Sequence, residues 1–116
     1  MKRLILIAVL LVFGVVTAYG AEKLKFESFV CGQNSAYYSA KIVVTNLSNS
    51  VISYPRVFVR FTPEGGTPFV EDALISPFNL PPGAMGKVTV ISKDADGRAY
   101  DCAIIRVQDT NGASLL

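Results

Sequence analysis

The stretch Arg56-Val57-Phe58-Val59-Arg60-Phe61-Thr62 decides the fold class. Its side chains alternate with a period of two, which places Val57, Val59 and Phe61 on one side of an extended chain and Arg56, Phe58 and Arg60 on the other. A helix would spread these residues around its whole circumference, so the pattern reads as a strand with one wet face. The run occupies residues 51–62 and contains Pro55, which removes a ladder donor, so the strand is expected to bend or start afresh there. Pro63-Glu64-Gly65-Gly66 then closes it as a turn.

Working outward, the same alternation recurs at residues 36–45. Tyr38, Ala40, Ile42 and Val44 share one side, and Ser39, Lys41 and Thr45 take the other. Further runs at 24–31, 69–75, 86–92 and 99–108 are separated by turn-forming clusters, namely Gly32-Gln33-Asn34-Ser35, Asn46-Leu47-Ser48-Asn49-Ser50, the proline-rich stretch 76–84 and Lys93-Asp94-Ala95-Asp96-Gly97. No dozen residues after position 20 hold apolar side chains at helical spacing without a Gly or Pro. A single sheet would leave its apolar side bare, so two sheets should pack face to face, with Ala103, Ile105 and Val107 of the last strand in the shared core. The expected fold is all-β, an immunoglobulin-like antiparallel β-sandwich of six to seven strands in one domain, residues 21–116. Loop spacing leaves a small β-barrel open as the alternative.

The first twenty residues differ from the rest. Lys2 and Arg3 are followed by an apolar run over residues 4–16, and Ala18-Tyr19-Gly20 supplies small residues at the positions a signal peptidase reads. The run is shorter than the roughly 20 residues a membrane-spanning helix needs. Residues 1–20 are therefore read as a signal peptide cleaved before Ala21, leaving no membrane span. No cysteine follows that point directly, which argues against a lipid anchor. Lys2 and Arg3 also account for the formal net charge of +2, so the remaining domain is neutral. A neutral domain has no electrostatic footprint for nucleic acid or an anionic membrane.

Both cysteines, Cys31 and Cys102, fall in the exported part, where disulfides form and persist. They are expected to bond to each other. Two thiols 71 positions apart, without a histidine in the chain, do not complete a zinc site, and a redox pair would normally have close spacing. If six strands alternate in direction, the end of the first and the start of the last lie at one end of the sandwich, together with the loops at 31–35, 62–68 and 93–98. First and last strands should then run antiparallel, with the bonded Cα atoms within about 7 Å.

Three features taken together, Val43-Val44-Thr45-Asn46, then Val57, Val59 and Phe61 ending in a Gly turn before Phe69, then Leu80-Pro81-Pro82-Gly83 before Val88 and Val90, resemble the FxLYD type of small exported bacterial domain. The resemblance covers about residues 41–90. It departs at Thr62-Pro63-Glu64, where that family has Tyr-Asp, and both cysteines lie outside it. The resemblance implies an immunoglobulin-like sandwich and a non-catalytic accessory or interaction role in the cell envelope.

With no histidine, triads and histidine acid–base catalysis are excluded within the chain. Asp94 and Asp96, two apart before Gly97, have the start of a calcium loop but lack its third ligand and terminal glutamate, so an Asp-Gly hairpin turn is the reading adopted, with no metal and no cofactor. Gly65-Gly66 lacks the lysine of a phosphate loop and is a turn. Asn46-Leu47-Ser48 fits a glycosylation acceptor pattern and is likewise read as a turn. The candidate partner-binding residues are Arg56, Phe58 and Arg60, since aromatic and arginine side chains are the types that anchor interfaces.

The function expected is a non-catalytic secreted or periplasmic module that binds another envelope protein. One alternative is a structural subunit assembling by strand addition. Another is a glycan-active enzyme using carboxylates among Asp94, Asp96 and Glu64.

Overall fold

The computed structural model describes residues 23–33, 37–92 and 100–116. These form an antiparallel all-β fold of eight strands: β1 (Leu24–Gln33), β2 (Tyr38–Asn46), β3 (Ile52–Ser53), β4 (Arg56–Pro63), β5 (Phe69–Leu74), β6 (Asn79–Leu80), β7 (Met85–Ser92) and β8 (Tyr100–Gln108). The six long ones are those expected from periodicity. One sheet has the order β1-β2-β7 and the other β5-β4-β8, while β3 and β6 make a separate two-stranded ribbon. The leader and the turn at Asp94 and Asp96 lie outside the described residues.

The two sheets face each other over a core in which alternation does the sorting. Tyr38, Ala40, Ile42 and Val44 of β2 are buried against Val57, Val59 and Phe61 of β4, with Val88 and Val90 of β7 beside them. Each buried aliphatic or aromatic side chain contributes about 1.5–3 kcal/mol by leaving water. At one end the rings of Tyr38 and Tyr100 lie 4.1 Å apart, and Phe61 and Phe69 are 5.7 Å apart. Pro55 marks a restart, as its lost donor implies: β3 ends at Ser53, and Tyr54 turns the chain with φ of 51° before β4 begins.

The sheets do not close into a barrel. On one side they meet where Ser76, just after β5, exchanges two 2.9 Å backbone hydrogen bonds with Lys87 of β7. Gly86 sits beneath this crossing, and a Cβ there would come within 2.6 Å of Ile75 Cγ2, so the close approach requires glycine. On the other side β1 and β8 are joined at both ends. Cys31 and Cys102 form a disulfide between the two sheets, with Cα atoms 6.2 Å apart. At the far end Leu115 accepts from the Lys23 N–H at 3.2 Å and donates to the Val107 carbonyl at 2.9 Å. These two junctions fix β1 and β8 as antiparallel.

One sequence expectation is corrected. Ala103 and Ile105 do not share the core with Val107: Ile105 is 43% exposed, and Cys102 and Ile104 pack inward instead. The cause is a β-bulge, because Phe58 pairs with Arg106 and the next residue, Val59, pairs with Ile104. The extra residue, Ile105, shifts the phase of alternation by one. The C-terminal tail also contributes to the core, since Leu115 is 1% exposed.

Candidate functional site

The outer face of the β5-β4-β8 sheet is built by β4, the central strand. Val57, Val59 and Phe61 are wholly buried, which fixes β4 in rotation and aims Arg56, Phe58 and Arg60 outward. Phe58 is half-buried rather than held free in water, because it lies between Asp72 of β5 and Arg106 of β8 on the two flanking strands. Arg56 forms an ion pair with Asp72 through Nη1 and Oδ2, both side chains being about 39% exposed. An exposed pair of this kind adds little stability and serves mainly to orient the guanidinium.

Arg60 and Arg106 have no carboxylate within ion-pair distance among the described residues. Arg106 makes only a long contact, 3.5 Å, to the Gly112 carbonyl. Phe58 therefore sits among three arginines of which one is neutralised, with Val70 (49% exposed) and Ile105 at the margins. Arginine heads on such a surface can stack on a ring or grip a carboxylate through two parallel N–H groups. Arg106 faces outward beside the buried Val107, as simple alternation would have it, but that it stands directly opposite Phe58 follows from the pairing of β8 with β4, which no local pattern encodes.

The other sequence candidates lie elsewhere. Cys31 and Cys102 are joined as expected. Near them Tyr100 Oη donates toward the Gly32 carbonyl and, at 3.1 Å, toward that of Ser39. Burial is the main reason its phenol is held above the ordinary value near 10; the bond to Ser39 pulls the other way and Tyr38 adds to the rise. Glu64 lines a shallow trough of about 500 Å³ with Asp101, at the turn that the Gly66 N–H closes on Pro63. Among the described residues no cluster of three acidic, cysteine or histidine side chains is placed to hold a metal.

Asn46, the residue of the acceptor-like pattern, is 1% exposed. Its Nδ2 donates to the Ser50 and Leu80 carbonyls at 2.9 Å each, and its Oδ1 accepts from Ser48 N and Oγ at 2.8 and 2.7 Å. It is a structural knot that ties the 46–50 turn to the proline-rich loop, and it is closed to modification in the folded state. No helix among the described residues is long and apolar enough to cross a membrane. The chain matches no family model, and no curated protein or solved structure matches it.

Proposed function

We propose that this chain is a non-catalytic exported module, secreted or periplasmic, that docks an acidic partner protein on the outer face of the β5-β4-β8 sheet. The observation that carries the reading is the half-buried Phe58 flanked by Arg60 and Arg106, neither of which is neutralised by a carboxylate among the described residues. A ring that supplies apolar contact, ringed by heads able to bind carboxylates, is the composition of an interface anchor. The leader supports export, and the Cys31–Cys102 bond belongs to an oxidising compartment. An accessory role in the envelope agrees with the FxLYD resemblance and with the lack of histidine.

The test is capture of a partner from envelope extract by the immobilised protein. Phe58→Ala should weaken capture about tenfold, about 1.4 kcal/mol, and so should Arg106→Glu, with the melting temperature little changed for the arginine variant. Capture should also fall as salt is raised. Unchanged capture by Arg60→Glu and Arg106→Glu together would refute the assignment of this face.

A further inference from the structure

The ribbon formed by β3 and β6 carries an aromatic pair that the core does not use. Tyr54 follows β3 and Phe78 precedes β6; their rings are 5.7 Å apart and 18° from parallel, and they are 48% and 50% exposed. Folding normally hides such rings or scatters them. These two are instead held rigidly at the surface. Ser53 pairs with Asn79, the Tyr54 N–H donates to the Phe78 carbonyl, and the Thr110 N–H donates to the Ser53 carbonyl at 3.1 Å. Tyr54 also occupies the left-handed region with φ of 51°, which is unfavourable for a residue with a Cβ and common for glycine. A glycine would make that turn without strain, so the side chain at this position is what the strained backbone presents.

Ile52 and Ser53 of β3, the strand that leads into Tyr54, wall a cavity of about 170 Å³, enough for roughly five waters. Ser50, Ser53, Thr110 and Asn111 line it. The hydroxyls of Ser50, Ser53 and Thr110 and the carboxamide of Asn111 make no hydrogen bond to another described side chain or backbone group. Three hydroxyls and an amide without a partner among the described residues, each able to donate and accept, line this cavity, and Tyr54 of the ring pair follows its wall residue Ser53 directly in the chain.

We infer that the Tyr54–Phe78 pair and the cavity beside Ser53 form a binding site for a neutral oligosaccharide. A pyranose ring has an apolar face of C–H groups that lies flat on an aromatic ring, and a rim of hydroxyls that need partners which both donate and accept. The rings supply the first and the Ser, Thr and Asn side chains the second. The two ionised groups that line the cavity, Lys23 and Asp109, carry opposite charges, and the Asp109 carboxylate already accepts from the Asn111 and Ala113 N–H groups, so the lining as a whole favours neither an anionic nor a cationic ligand. The site lies apart from the Phe58 face and does not depend on it.

The experiment is amide chemical-shift mapping of the exported protein titrated separately with cellohexaose, chitohexaose, maltohexaose and decaproline. At least one hexasaccharide should saturate shifts at Ser53, Tyr54 and Thr110. Phe78→Ala and Tyr54→Gly should each weaken that binding at least tenfold, while Tyr54→Phe keeps it and Arg60→Glu leaves it unchanged. Tyr54→Gly should match or exceed the wild type in melting temperature, which separates loss of a ligand surface from loss of fold. Absence of saturable shifts with all three sugars overturns the proposal. So does binding of decaproline alone, which would make the rings a polyproline site, and so does sugar binding that survives Tyr54→Gly.

Discussion

At the scale of the single residue, Tyr100 joins the two sheets by a hydroxyl as well as by its ring. Its phenol donates to carbonyls of β1 and β2, so Tyr100→Phe should cost about 1 kcal/mol, measured by denaturant unfolding. The pH dependence has a definite sign. The fold favours the neutral phenol, so the unfolded chain gives up this proton first. The stability Tyr100 contributes is whole below the ordinary phenol value near 10 and is lost as pH rises through the higher folded value. The stability difference between wild type and Tyr100→Phe should therefore shrink above pH of about 10; a constant difference up to pH 12 would refute the burial argument. Asn46 shows how far a residue can be read in sequence. That it starts a turn was legible, because Asn bonds readily to the backbone two residues on. That its amide would be buried beneath Leu80, 34 positions away, was not, since no local pattern encodes a partner so distant.

At the scale of the element, the six long strands and the break at Pro55 were legible because alternation and turn residues are local signals. The ribbon of β3 and β6 was not, since two-residue strands are too short to show a period. Nor was the phase of β8. Cys102, Ile104 and Val107 cannot be told from Ala103, Ile105 and Val107 until the bulge opposite Phe58 and Val59 is known. This gives a sharp comparison between neighbours: Ile104→Ala should cost about 2 kcal/mol as a packing loss, and Ile105→Ala no more than about 0.5 kcal/mol. Urea unfolding of the two variants decides it, and equal losses would place the bulge wrongly. The candidate face divides in the same way. Arg56, Phe58 and Arg60 come from one strand and share its period, whereas Arg106 joins them only through the pairing of β8 with β4, a long-range register that local alternation does not encode.

At the scale of the whole molecule, the sandwich depends on the junctions between its sheets as well as on its core. The Cys31–Cys102 bond closes a loop of 71 residues, which the chain-entropy model values at about 4 kcal/mol. A domain of this size has a total stability of roughly 5–14 kcal/mol. The Cys31→Ala/Cys102→Ala variant should then melt roughly 15–30 °C lower by calorimetry, and a shift under about 5 °C would show that β1 and β8 hold together without the bond. Burial of Leu115 closes the opposite end of the same two strands, bringing Lys23 and Leu115 into backbone contact. This placement governs the response to mechanical load. Tension applied at Lys23 and Leu115 first separates those two neighbours and then strips β1 from β2 and β8 from β4, bond by bond, until the force reaches the sulfur bridge. Everything between Cys31 and Cys102, including all of β2, β4, β5 and β7, then bears no load while the bridge is intact, so a stretched molecule would lengthen only by the segments outside it and keep most of its fold.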